Sequence, residues 1–339
     1  MTTLVAALGA GRMGRGIALC YAAAGQRVLL LDSKPRGADA FNALRHQALD
    51  DIRSQATALV DLGLVPAATV DHIVARVQVA GRDEAATLLP QVGLLFEGVP
   101  EVMDNKAEAL AFAAVHMAAD AIIASTSSTF LSTTLAGMVA GPERFLNAHW
   151  LNPAHLIPLV EVSPHPGTAP EVTARLRELL TRIGKVPVLC SATPGYIVPR
   201  LQVLIMNEAA RMIESGAATA EDIDLAIRTG FGLRYAAMGV VEFIDVGGND
   251  ILFHASRYLA EALNDQRYAS PPIIGEYMAS NRNGLRSGQG FYDWTQRDVP
   301  AYRRESTARF VALLQTAGRL PMLADAVAVT PTPAPPPPP

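Results

Sequence analysis

The chain has little cysteine, little charge and no apolar run of membrane length. Of 339 residues only two are cysteines, Cys20 and Cys190, too few for a disulfide framework, and neither stands in a metal-ligand spacing such as C-x-x-C or beside a histidine pair. No metal site is expected, and a reducing cytoplasm is the expected compartment. Charged residues make up 18 %, below the usual share of about 25 %. The 28 Lys and Arg against 32 Asp and Glu leave a formal charge of −4. Without an excess of positive charge there is no global field to draw nucleic acid or anionic lipid, so neither is an expected partner. Gly25, Gln26 and Arg27 interrupt the longest early apolar stretch before the roughly 20 residues that a bilayer span needs. No basic leader or apolar signal core precedes the first strand-like segment, and the chain is expected to be soluble.

What is present is alternation. Short β-rich runs at 3–8, 27–31, 92–97, 121–125, 145–150, 156–162 and 187–190 are separated by longer helical stretches, the pattern of a parallel sheet covered by helices. Between the second and third runs lies an Ala-rich stretch, 35–76, whose apolar spacing suits two helices with a break near 63–66; it is large for an ordinary crossover. After Cys190 the β runs stop, and 195–283 reads as helices separated by Gly-rich turns at Ser215-Gly216, 230–232 and Gly247-Gly248. The expected domains are 1–190, an α/β unit, and 191–320, an all-helical unit. The segment 321–339 is expected to be a proline-rich disordered tail; its end, 330–339, is mostly proline, has few backbone donors and is expected to stay extended and solvated.

Gly9-Ala10-Gly11-Arg12-Met13-Gly14 fits G-x-G-x-x-G, a weak match by itself in an Ala- and Gly-rich chain. Its context strengthens it: an apolar strand precedes it, a helical pattern follows from Met13, and Asp32 ends the next strand. The glycines permit a tight turn and close approach of backbone to a pyrophosphate, and the helix N-terminus supplies amides and partial positive charge. The fold expected is therefore a Rossmann-type doubly wound, mostly parallel sheet followed by a helical C-terminal domain. A carboxylate at Asp32 accepts hydrogen bonds from adenosine ribose hydroxyls and repels an added phosphate, which predicts NAD over NADP. Lys34 and Arg36 stand close enough to offset part of that repulsion.

The densest polar group in mid-chain is Ser125-Thr126-Ser127-Ser128, then His149-Trp150-Leu151-Asn152-Pro153, then Glu161. Removing a hydride from a secondary alcohol requires a base for the hydroxyl proton, and histidine suits that task near neutral pH. A carboxylate on its other ring nitrogen fixes the tautomer and favours the imidazolium that forms.

These residues are where the sequence resembles the NAD-dependent 3-hydroxyacyl-CoA dehydrogenase family in its short-chain form. The ordered stations are 9–16, Glu97 with Glu101 and Lys106, Thr126-Ser127-Ser128, 149–153, 159–162, Thr193-Pro194-Gly195-Tyr196-Ile197-Val198, and 287–292. The resemblance implies that His149 is the catalytic base and Glu161 its orienting partner. It implies that Ser127 and Asn152 hold the substrate's reacting oxygen and carbonyl. Glu97 and Lys106 would lie on the nicotinamide and ribose sides of the cofactor, with Gly9, Gly11, Arg12, Met13, Gly14 and Asp32 on the nucleotide. It further implies a small-molecule 3-hydroxyacyl-CoA substrate and a homodimer.

The chain departs from that pattern at Pro199, where the family has an asparagine that helps to hold the substrate carbonyl. One polarising hydrogen bond is then missing unless Arg200, Asn207 or water replaces it. Lysines are only Lys34, Lys106 and Lys185, and Arg45 and Arg53 of the insertion are offset by Asp50 and Asp51, which weakens the case for CoA phosphates. The run Gly230-Phe231-Gly232-Leu233-Arg234-Tyr235-Ala236 resembles the related λ-crystallin/gulonate and carnitine dehydrogenase branch, which acts on free hydroxy acids. Arg234 on a Gly-bounded turn suits a carboxylate clamp; the alternative is an ordinary salt bridge with Glu242 or Asp245.

Overall fold

A computed structural model describes residues 3–320; the proline-rich tail lies outside them. Two compact units divide between Met206 and Asn207, against a sequence-based change at 190. The first unit holds an eight-stranded sheet in the order β3-β2-β1-β4-β5-β6-β7-β8. Its strands are β1 (Val5–Leu8), β2 (Val28–Leu31), β3 (Val77–Ala80), β4 (Leu94–Glu97), β5 (Ile122–Ser125), β6 (Phe145–Trp150), β7 (Leu159–Pro164) and β8 (Val186–Leu189). All neighbours pair in parallel except β6 and β7.

Both faces of the central strands are buried, so the strands read as continuous apolar runs. On one face Val5 and Ala7 of β1 pack with α1 (Arg12–Ala23), α2 (Ala38–Asp61) and α3 (Val70–Ala75). On the other, Ala6 and Leu8 pack with α4 (Arg82–Leu88), α5 (Met103–His116) and α6 (Ser132–Leu135). The long insertion is α2 followed by a break and α3, as the apolar spacing predicts. A last helix, α7 (Pro170–Thr181), packs Leu176 and Leu180 onto the first face.

Three features differ from the sequence reading. Strand β3 is an edge strand of four residues with an exposed Gln78, too short and mixed to stand out beside the helical insertion. The run expected at 156–162 begins only at Leu159, because the amides of Leu156 and Ile157 close a turn onto Pro153 O and Pro158 has no amide to donate. In the second unit, 230–232 is helical instead of a turn. A π-helix, Ile227–Phe231, runs into Gly232–Ala237, and a Cβ at Gly232 would meet Ile227 O at 2.9 Å, so this glycine serves close helical packing.

The remaining helices are α8 (Val198–Glu214), α9 (Ala220–Ala226), α10 (Gly232–Ala237), α11 (Val240–Gly247), α12 (Asn249–Ala262), α13 (Pro272–Ala279) and α14 (Val299–Thr316). Asp245 organises the second unit: its carboxylate accepts from the amides of Phe291 and Tyr292 and from the Trp294 indole. Among the described residues no helix is long and apolar enough to cross a membrane.

Candidate active site

The glycine turn leaves the C-terminal end of β1 and enters α1. Gly9 has φ +111° and donates its amide to Leu31 O, and a Cβ there would meet Gly98 O at 2.8 Å. A Cβ on Gly14 would lie 2.0 Å from Gly9 O, so only glycine lets the helix sit this close to the turn. Gly11 is different: nothing lies within 4 Å of where its Cβ would be. It faces a cavity of about 440 Å³ lined also by Gly9, Arg12, Asp32, Lys34 and Arg36. Met13 points the other way and packs against the core. Gly11 caps α1 without a side-chain hydrogen bond, leaving first-turn amides for a ligand. An open cradle at Gly11, a helix N-terminus and a carboxylate at the next strand end fit the pyrophosphate and ribose of NAD.

Asp32 is buried, with Oδ1 accepting from the Lys34 amide at 3.2 Å and Oδ2 from Arg36 Nε at 2.5 Å. Arg36 therefore offsets part of the Asp32 charge, as the sequence spacing indicates.

At the other end of the sheet, β6 and β7 place His149 directly opposite Glu161. His149 Nδ1 lies 2.8 Å from Glu161 Oε2, and Oε1 accepts from the amides of Ile197 at 2.9 Å and Val198 at 2.7 Å. Burial alone raises the Glu161 carboxyl, but the hydrogen bonds from His149, Val198 and Ile197 outweigh it and hold the group below the usual range. The Tyr196 ring stacks on the imidazole, centroids 5.1 Å apart and planes 13° apart.

Ser127 is buried; its hydroxyl donates to Glu101 and accepts from the Phe130 amide. Glu101 also faces Lys106 Nζ at 3.2 Å, which in turn sits 3.1 Å from both oxygens of Glu97. Burial raises the Glu101 carboxyl, yet Ser127 and Lys106 hold it below its usual value. Glu97, Lys106 and Ser127, all buried, thus form one network with the exposed Glu101, and Ser125 donates to Glu97 at 2.6 Å. The network meets the His149 pair through Tyr196, whose hydroxyl donates to Ser127 O at 2.8 Å. Asn152 is exposed in the turn after β6, with a cis bond to Pro153.

Arg234 is in the second unit, inside α10 rather than on a turn, with its guanidinium 4.9 Å from the Phe243 ring centroid. The expected partners are otherwise engaged: Glu242 accepts from the Gly239 amide and Asp245 holds the loop described above. Pro199 occupies the first turn of α8, where a missing amide is tolerated.

Sequence reasoning assigns no role to Tyr196 or Lys185. Lys185 is buried and donates to Ala154 O at 2.5 Å and Ile157 O at 2.9 Å, beneath the turn that carries Asn152. The only sequence signal for Tyr196 is its place in the Gly-Tyr-Ile-Val run, and Lys185 gives none.

Comparison with known proteins bears on this geometry. The family model described as "3-hydroxyacyl-CoA dehydrogenase, NAD binding domain" matches residues 4–193, and that described as "3-hydroxyacyl-CoA dehydrogenase, C-terminal domain" matches 195–294. The chain is similar to the 5-formyl-3-hydroxy-2-methylpyridine 4-carboxylate 5-dehydrogenase of Mesorhizobium japonicum, 29% identical over 91% of this chain and 96% of that one. It is similar to the lambda-crystallin homolog of Bos taurus, 33% identical over 75% of this chain and 77% of that one. Among solved structures, a 3-hydroxyacyl-CoA dehydrogenase of Archaeoglobus fulgidus aligns with TM-score 0.73 and 27% identity, covering 94% of this chain and 100% of that one.

Proposed function

Because the chain belongs to the 3-hydroxyacyl-CoA dehydrogenase family, NAD-dependent oxidoreductases acting on CH–OH, we propose that it oxidises an L-3-hydroxyacyl-CoA such as 3-hydroxybutyryl-CoA to the 3-oxo thioester. The observation that carries the reading is the His149–Glu161 pair, 2.8 Å apart on adjacent strands. With Nδ1–H donated to the Glu161 carboxylate, Nε2 carries the lone pair that takes the substrate's hydroxyl proton. NAD, when bound, would accept the hydride from the carbon that bears this hydroxyl. Glu161 stabilises the imidazolium that forms, and general-base action of this kind contributes roughly 10² to 10⁴ in rate. Ser127 and Asn152 hold the reacting oxygen and the carbonyl, and Gly9, Gly11, Gly14 and Asp32 seat the nucleotide.

A second reading keeps the chemistry and changes the substrate to a free 3-hydroxy carboxylate. Its support is the state of four cations of the first unit: Arg53 pairs with Asp71 and Arg15 with Asp51, while Lys106 and Lys185 are buried, so none of these is free to meet CoA phosphates. The similarity to a pyridine carboxylate dehydrogenase points the same way. Turnover of 3-hydroxybutyryl-CoA against free 3-hydroxy acids, with NAD, separates the two. Thioester oxidation is the expected result, and activity confined to the free acids overturns it.

The homodimer is likewise proposed. Leu201, Val203, Leu204 and Met206 on α8 are exposed, an apolar surface suited to a second copy. Sedimentation at twice the chain mass is expected, and a monomer counts against it. A reducing cytoplasm suits the free thiols Cys20 and Cys190, which cell fractionation checks.

A further inference from the structure

Tyr196 stands where three parts of the candidate site meet. Its backbone is left-handed, φ +44°, directly after Gly195 at φ +78°. A ring-bearing residue rarely adopts that conformation and keeps it where surrounding contacts over-determine it. The turn sends the ring onto the His149 imidazole, while the next two amides, of Ile197 and Val198, turn to Glu161 Oε1. One tripeptide therefore touches both members of the proton-accepting pair.

The phenol end reaches further. Its oxygen donates to Ser127 O at 2.8 Å and accepts from Asn147 Nδ2 at 2.8 Å. Asn147 belongs to β6, the strand that carries His149. The hydroxyl thus joins the peptide of Ser127 to that strand. A ring that only filled the core would need no hydroxyl, and phenylalanine would serve. Burial pushes the Tyr196 phenol up to about 12 against the lowering hydrogen bond from Asn147, with Cys190, Glu101 and Glu161 adding to the rise. It therefore remains a neutral donor throughout the range in which a histidine base works.

We propose that Tyr196 is a positioning residue of the dehydrogenase, its ring fixing the plane of the His149 imidazole and its hydroxyl fixing Ser127 relative to that plane. The proposal rests on His149 being the base. It assigns two separable effects to two parts of one side chain: the ring acts on proton transfer, and the hydroxyl acts on how the substrate's oxygen is held.

The test uses full-length Tyr196→Phe and Tyr196→Leu, with His149→Gln as reference. It has two readouts: steady-state kinetics, and the His149 Nδ1–H resonance in proton NMR of the cofactor-free protein. Tyr196→Phe keeps the stack, so the resonance persists, while the KM for the hydroxy substrate rises by about fivefold or more as the Ser127 peptide loses its tether. Tyr196→Leu loses the stack, so the resonance broadens through solvent exchange. Its kcat falls by about 10- to 100-fold, with the KM for NAD held. Tyr196→Leu with resonance and kcat both intact overturns the proposal, and so does Tyr196→Phe with unchanged KM. If Tyr196→Leu does not fold, the Tyr196→Phe result decides. Loss of rate in His149→Gln alongside silent Tyr196 variants rejects the positioning role alone. A wild-type rate in His149→Gln rejects the base assignment and this proposal with it.

Discussion

Glu161 Oε2 lies 2.8 Å from His149 Nδ1 across the antiparallel β6–β7 pair, and the other carboxylate oxygen is held by two backbone amides. The acid is thereby fixed from one side and presents a single oxygen to the imidazole. Replacing it by an amide keeps an acceptor for Ile197 and Val198 but removes the charge that favours the imidazolium. Glu161→Gln is expected to lower kcat by about 10² to 10⁴, and His149→Gln by about 10² or more, with NADH binding intact in both. Fluorescence titration with NADH and steady-state kinetics check this pair of outcomes.

The same carboxylate gives a signed pH effect. Its folded-state pKa is depressed from the usual 4.5, so its contribution to stability is fully present above that value and is lost as pH falls through the depressed one. The stability difference between wild type and Glu161→Gln, measured by urea unfolding, is expected to shrink as pH falls below 4.5.

Gly11 and Gly14 separate binding from folding. Aspartate at position 11 meets open space and is a favourable helix N-cap, while its charge repels a pyrophosphate. Gly11→Asp should keep the wild-type melting temperature and lose NAD affinity. Gly14→Ala forces a methyl 2.0 Å from Gly9 O, so it should destabilise the fold by about 1–3 kcal/mol or more. Calorimetry with and without NAD distinguishes them, and equal melting losses in both would contradict the assignment.

Asp32 and Arg36, paired at the end of β2, are proposed to set the cofactor preference together. Wild type is expected to prefer NAD over NADP in kcat/KM. Asp32→Ser frees Arg36 from its partner, so the ratio is expected to move towards NADP by about tenfold or more.

The Lys106–Glu97 pair is buried on both sides. Removing one partner leaves a charge without compensation, and Lys106→Met is expected to cost about 3–5 kcal/mol in unfolding experiments. The double variant Lys106→Met/Glu97→Gln should recover part of that loss, and additivity of the two changes would show that the pair is not coupled.

The sequence by itself determined the alternation of strands and helices and the glycine turn with Asp32, and through its family resemblance it singled out His149 and Glu161 as candidates. Those features rest on local periodicity, on glycine's freedom at Gly9, and on a motif whose residues lie close in the chain. What tertiary structure decided depends on atoms brought together from distant segments. The short edge strand β3 gains its partner only by sheet register. Arg234 stands in a helix whose first residue, Gly232, leaves no room for a Cβ against Ile227 O. The pairing of Glu161 with amides at 197 and 198, the stacking of Tyr196 on His149, and the burial of Lys106 and Lys185 all follow from how separate strands and turns converge. No spacing in the chain encodes such convergence, because side chains meet there through sheet order and packing, not through neighbouring sequence.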